Sequence, residues 1–162
     1  EIEKQLFAEG YFSYVLDGDN FRHGLNGDLG FSAADRDENV RRVAEVARLF
    51  ADAGVVALVP LISPYRAARD GARALHEVAG VPFYEVFVDT PLEVCEERDP
   101  KGLYAKARAG ELTGMTGIDD PYEDPPNAEI TLNTVDYTAE QNARRILAYL
   151  VDRGFLLSDS SS

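Results

Sequence analysis

Short apolar runs alternate along the chain with longer amphipathic stretches. Tyr11–Leu16 (YFSYVL), Val55–Ile62 (VVALVPLI) and Phe83–Val88 (FYEVFV) are nearly continuous in apolar residues, and Ile130–Leu132 within AEITLNT is a weaker fourth run. Continuous rather than alternating hydrophobicity predicts strands buried on both faces of a parallel sheet. Between them, Asp35–Ala53 sets Val40, Val43, Ala47 and Phe50 on one helical stripe. Asp35 with Glu38 is the expected capping pair at its start, and Gly54 the expected stop. A second helix is expected from Pro64 to about Val78, with Ser63 as N-cap and Pro64 at the first helical position. Thr138–Arg153 is the last helix, followed by Gly154 and a polar tail expected to fray. This alternation predicts a doubly wound α/β domain. Glu1–Glu9 is helical in character, and such domains usually open on a buried strand. A strand and its following loop are therefore expected upstream.

A chain of 162 residues corresponds to one domain with a sizeable core. Residues 1–154 are expected to form it and 155–162 the tail. With 16 Lys and Arg against 29 Asp and Glu, the net charge is −13. A nucleic-acid binder needs a basic stripe, so nucleic acid is not an expected partner. No apolar stretch approaches the roughly 20 residues that span a bilayer, and no signal peptide opens the sequence. A membrane partner is not expected either, and a cytoplasmic enzyme or binding domain is. Cys95 is the only cysteine, which excludes an internal disulfide, and two histidines argue against a zinc site.

Ligands of open parallel sheets sit beyond the carboxyl ends of the strands. Asp17-Gly18-Asp19-Asn20 is the richest such end. Two carboxylates flanking a glycine can serve a magnesium ion and a hydroxyl nucleophile together; a plain Asx turn is the alternative. Arg36 and Asn39 are three apart, share one helix face and could hold one anion, although a solvated helix start has the same look. Arg22 and Arg66 add positive charge at neighbouring strand ends, as a local anion site in an acidic chain requires. Ser63 lacks the glycines of a nucleophile elbow and reads as a helix cap. Cys95, among Glu93, Glu96 and Glu97, reads as structural, as does His23. The stretch from Arg98 to Pro126, with Gly110, Gly114 and Gly117, reads as a mobile excursion: a lid over a phosphate donor or an ordinary long loop. No segment matches GxxxxGK[ST], and Gly24, Gly27 and Gly30 have the wrong spacing for any nucleotide fingerprint.

Four long motifs in order, covering nearly the whole chain, resemble adenylylsulfate kinase (APS kinase). They are LDGDNFRHGLNGDLGFSAADRDENVRR (Leu16–Arg42), LISPYRAAR (Leu61–Arg69), EVFVDTPLEVCEERDPKGLYAKARAGE (Glu85–Glu111) and TGIDDPYEDP (Thr116–Pro125). The resemblance implies a three-layer P-loop kinase fold. It implies transfer of the γ-phosphoryl of ATP to the 3′-hydroxyl of adenylyl sulfate, with Mg²⁺. By the same resemblance Asp17 lies at the magnesium and acceptor-hydroxyl end. Asp19, Asn20, Phe21, Arg22, Phe31, Arg36, Asp37, Glu38, Asn39, Ile62, Ser63, Lys101, Met115 and Thr116 match acceptor positions, Phe31 for the adenine and Arg22, Arg36 and Asn39 for the phosphosulfate. Arg98 falls on the ATP side. Ser63 matches a serine that family descriptions mark as a phosphoserine intermediate, whereas its local sequence favours a cap. Met115 stands where the family usually carries Phe, and a thioether offers a ring less area than a phenyl face. The P-loop is expected upstream of Glu1. A homodimer, or fusion to or association with ATP sulfurylase, is implied as the partner arrangement. Another small-molecule kinase and a non-catalytic nucleotide-binding domain are the rival readings.

Overall fold

The computed structural model describes residues 1–157. Its elements are α1 (Ile2–Ala8), β1 (Ser13–Val15), α2 (Gly18–His23), α3 (Ala33–Asp52), β2 (Val56–Leu58) and α4 (Arg66–Val78). Then follow β3 (Val86–Asp89), α5 (Leu92–Arg98), α6 (Leu103–Arg108), β4 (Ile130–Asn133) and α7 (Ala139–Asp152). Every strand run of the sequence is present; β1, β2 and β3 are shorter than their apolar stretches, and β4 is one residue longer than its run. The pairing is parallel throughout: β1 with β2, register Tyr14 to Ala57, and β3 with β4, register Phe87 to Thr131. Where one continuous sheet was expected, the described strands form two parallel pairs. β2 is only half-buried along its length, and β3 passes from half-buried to exposed, so burial on both faces is incomplete.

Helices cover two sides of these strands. On one side Leu6, Leu147 and Leu156 pack against Val56 and Leu58, bringing α1 and α7 onto β2. On the other, Leu16, Val43 and Ala47 pack with Ala57, and Val40, Ala44 and Ala72 join α3 to α4. Alternate side chains of β2 thus reach opposite helix layers, as a period of two dictates. Leu156 is 4% exposed, so the core extends past Gly154 and the expected tail begins too early. The remainder of that tail, residues 158–162, lies outside the described residues.

Two helix starts differ from expectation. α3 begins at Ala33, two residues early. Ser32 is its cap, its side chain accepting from the Asp35 N–H while Asp35 accepts from the Ser32 N–H. The reciprocal box needs a carboxylate three residues after the cap, and Asp35 supplies it, so Glu38 is not part of it. α4 begins at Arg66 rather than Pro64, with Tyr65 at the cap position and no side-chain cap of its own. Ser63 does not cap it. Its φ is +43°, well into the left-handed region, and this turn cannot serve as the extended residue an N-cap requires. The last helix matches expectation, with Thr138 and Gln141 as a full capping box.

Candidate active site

β1 ends at Val15, and Asp17 opens α2 in an extended conformation with no cap hydrogen bond to its carboxylate. That leaves a half-buried carboxylate at the carboxyl end of a strand. Arg22, one turn further on α2, donates to the Gly30 carbonyl at 2.8 Å and lies 4.3 Å from the centre of the Phe31 ring. Arg36, on the first turn of α3, is 5.8 Å from the same ring and donates to the Phe31 carbonyl at 3.1 Å. Phe31 nevertheless remains 64% exposed. Two arginines and an open aromatic face thus converge next to α2, the helix that Asp17 opens.

The Gly24–Gly30 stretch, whose glycines fit no nucleotide fingerprint, braces this region. Asn26 is 0% exposed and donates to Asn39 Oδ1 at 3.0 Å. Arg42 forks to both Asp28 oxygens at 2.6 and 2.9 Å and donates to the Leu25 carbonyl at 3.1 Å. Glu38 accepts from Arg42 at 2.7 Å and from Arg41 at 2.7 and 2.9 Å. Those two guanidiniums hold the Glu38 carboxyl down at about 2. Two expectations change here. Asn39 is buried against Asn26, with its Oδ1 already engaged, and Glu38 holds arginines of its own helix. Asp37 is exposed.

The Arg98–Pro126 segment is tied to the body at several points, where a mobile excursion was expected. Lys101 donates to Asp19 at 3.2 Å, joining the segment to α2. Arg98 donates to the Thr134 hydroxyl at 3.0 Å and carbonyl at 2.7 Å, beside a pocket of about 430 Å³ lined also by Tyr137, Thr138 and Asn142. Asp99 accepts from the N–H groups of Ala105 and Tyr104 at the start of α6, the first of which does most to hold its carboxyl low. Arg36 donates to the Gly114 carbonyl at 2.5 Å and the Thr116 hydroxyl at 3.4 Å. It also lies 3.7 Å from Asp120. The Gly114 and Met115 N–H groups each donate to Asp119 at 2.6 Å, which closes that turn. Arg36, expected to hold an anion together with Asn39, also grips the turn carrying Met115 and Thr116. Ile62 is 63% exposed beside Ser63, at the end of the β2 run. Arg66, counted as free positive charge, donates to the Asp124 carbonyl at 3.2 Å.

Sequence reasoning missed Arg69 and Asn26. Both are polar and almost fully buried, and their periodicity carries no signal that distinguishes them from surface polar residues. Cys95 is half-buried on α5, within 3.8 Å of the Thr90 carbonyl, and His23 is exposed at the end of α2.

The adenylylsulphate kinase family model matches residues 1–133, a span containing Asp17, Phe31, Arg36, Ser63 and Lys101. The chain belongs to the adenylylsulfate kinase family. It is 55% identical over 158 residues to an adenylyl-sulfate kinase of Geotalea daltonii, covering 98% of this chain and 77% of that one. It is 56% identical over 149 residues to the bifunctional enzyme CysN/CysC of Mycobacterium tuberculosis, covering 92% of this chain and 24% of that protein. Among solved structures, the M. tuberculosis APS kinase CysC in complex with AMPPNP and APS superposes with a TM-score of 0.90 at 55% identity, covering 92% of this chain and 86% of that one. The α/β fold with parallel strands is thus that of adenylylsulfate kinases. Among the described residues no helix is long and apolar enough to cross a membrane.

Proposed function

We propose that this chain transfers the γ-phosphoryl group of ATP to the 3′-hydroxyl of adenylyl sulfate. The carrying observation is the convergence of Arg22 and Arg36 on the exposed Phe31 ring, with Asp17 opening the helix that carries Arg22 and its carboxylate making no cap hydrogen bond. An acceptor with an aromatic base and a doubly anionic mixed anhydride needs one flat apolar face and two cations, and these residues offer both. Asp17 is then placed to orient the acceptor hydroxyl and take its proton. Lys101, exposed on the segment that crosses to Asp19, is the further cation on the acceptor side. Asp19, Asn20 and Phe21 form the α2 turn that presents it, Ile62 and Ser63 form a second wall, and Met115 with Thr116 closes over the base. Arg98 and the pocket at Thr134 form the ATP side. A covalent phosphoserine at Ser63 has no support in its surroundings: no side-chain base contacts its hydroxyl among the described residues.

Magnesium takes one or two carboxylates plus substrate phosphates and waters rather than an all-protein cage. The described residues hold no group of three or more His, Cys, Asp or Glu that could form such a cage, and the single carboxylate of Asp17 fits the sparser demand. The ion, when bound, neutralises charge on the β- and γ-phosphates. The finer fold reading is one sheet. β2 and β3 each pair on a single edge, and a further strand between them would join the two pairs and carry a GxxxxGK[ST] loop from a segment preceding Glu1. Fusion to, or association with, an ATP sulfurylase and self-association extend this reading, alongside relatives described as a bifunctional CysN/CysC enzyme and a hexameric APS kinase.

The test is ADP release by the intact protein from ATP, Mg²⁺ and adenylyl sulfate, with AMP as the control acceptor. Asp17→Asn should lower turnover about a hundredfold or more, within the usual range for a lost acid–base group, while the protein stays folded. Equal rates with AMP, or wild-type turnover in folded Asp17→Asn, would contradict the assignment.

A further inference from the structure

Arg69 on α4 is 8% exposed and belongs to none of the groups placed so far against substrate. Its guanidinium forks to two main-chain carbonyls, Ser63 at 2.7 Å and Glu123 at 2.5 Å. Its Nε lies 2.7 Å from Glu85 Oε1, off the line of a hydrogen bond. The Tyr122 ring sits 5.6 Å away, itself stacked on Phe87 of β3 at 6.0 Å. Behind it Arg73 joins Glu85 at 3.6 Å to Glu129 at 2.6 Å, so the cation is backed by a fixed acidic frame.

The two carbonyls it holds are not arbitrary. One belongs to Ser63, whose backbone sits in the left-handed region at φ +43°, a conformation costly for a residue with a side chain and maintained only where surroundings impose it. The other belongs to the far end of the Arg98–Pro126 segment. The same junction is stitched by the Glu123 N–H donating to the Pro64 carbonyl at 2.9 Å and the Arg66 N–H donating to the Glu123 carboxylate at 2.6 Å. A planar fork with five donors can hold two carbonyls in fixed directions, and an ammonium cannot.

We infer that Arg69 is a positioning residue for the acceptor: it sets the strained Ser63 turn, and with it Ile62, and locks the end of the overlying segment against it. The inference rests on the proposed function, since it treats the Ile62-Ser63 turn as an acceptor wall. Small misplacements of such a wall reach the reaction, because a displacement of about 1 Å can cost on the order of a hundredfold.

Arg69→Lys keeps a cation beside Glu85 but loses the fork. In the intact protein it should raise the KM for adenylyl sulfate about tenfold or more while the KM for ATP moves less than about twofold. Arg69→Met combined with Glu85→Gln, which removes both buried charges, should give the same split. A role in stability alone would lower Tm without separating the two KM values. Unchanged kinetics in either folded variant, a parallel rise in both KM values, or failure of both variants to fold would each overturn the inference. Wild-type enzyme inactive towards adenylyl sulfate would instead overturn the function on which it rests.

Discussion

The two halves of the proposed acceptor face are held by different means. The Arg22–Arg42 half is self-braced: Arg22 reaches eight residues to Gly30, Asn26 thirteen to Asn39 and Arg42 fourteen to Asp28. The Arg98–Pro126 half has local turns closed by Asp99 and Asp119, but distant side chains dock it to the body. Lys101 reaches 82 residues to Asp19, Arg36 reaches 78 to Gly114 and Arg69 reaches 54 to Glu123. A half fixed from within keeps its shape whether or not anything covers it. A half docked through a few long-range side chains can release when those contacts change, which is what the proposed role as a cover requires. Arg36 belongs to both halves, under Phe31 and onto the Gly114 turn, so the floor and the cover share one side chain.

That contrast can be broken from either side. On the braced side, Asn26→Ala leaves the buried Oδ1 of Asn39 without its donor and should destabilise the protein by about 1–3 kcal/mol. The lower part of that range is expected, because Asn26 Oδ1 is itself unpaired. Chemical denaturation measures the loss, and the acceptor KM should rise with it. On the covering side, Glu123→Ala removes the carboxylate that caps the α4 start from 57 residues away. The expected loss is about 0.5–2 kcal/mol, the usual range for a helix cap, with faster amide exchange in the first turn of α4 and none in the Gly24–Gly30 loop. Exchange rising equally in both places would erase the distinction between the halves.

The same division decides what could be read from the chain. The strand runs and the existence of the α3, α4 and α7 helices follow from the alternation of apolar runs and amphipathic stretches. Asp17, Arg22 and Arg36 were legible from a strand end and a helix face, and Phe31 only from the four motifs that placed the chain in a family. The Ser63 cap was misread because the group that caps α4 is Glu123, and nothing near Ser63 in sequence announces it. Ser32 was overlooked because Asp35 satisfies both a cap and a capping-box pattern, and only the hydrogen bonds decide which. Asn39 was read as a ligand group because spacing places it beside Arg36, while burial against Asn26 depends on how the loop folds back. Arg69 looked like any arginine on a helix surface; its carbonyl partners are 6 and 54 residues away.

The most direct test of the acceptor site is calorimetric titration of Arg36→Ala with each nucleotide in the intact protein. Loss of a charged donor to an anion typically costs about 1.5–3 kcal/mol, so adenylyl sulfate should bind roughly ten- to hundredfold more weakly. ATP binding should stay at its wild-type value. Equal weakening of both nucleotides, or unchanged binding of adenylyl sulfate, would mean that Arg36 serves the fold alone and that the acceptor lies elsewhere.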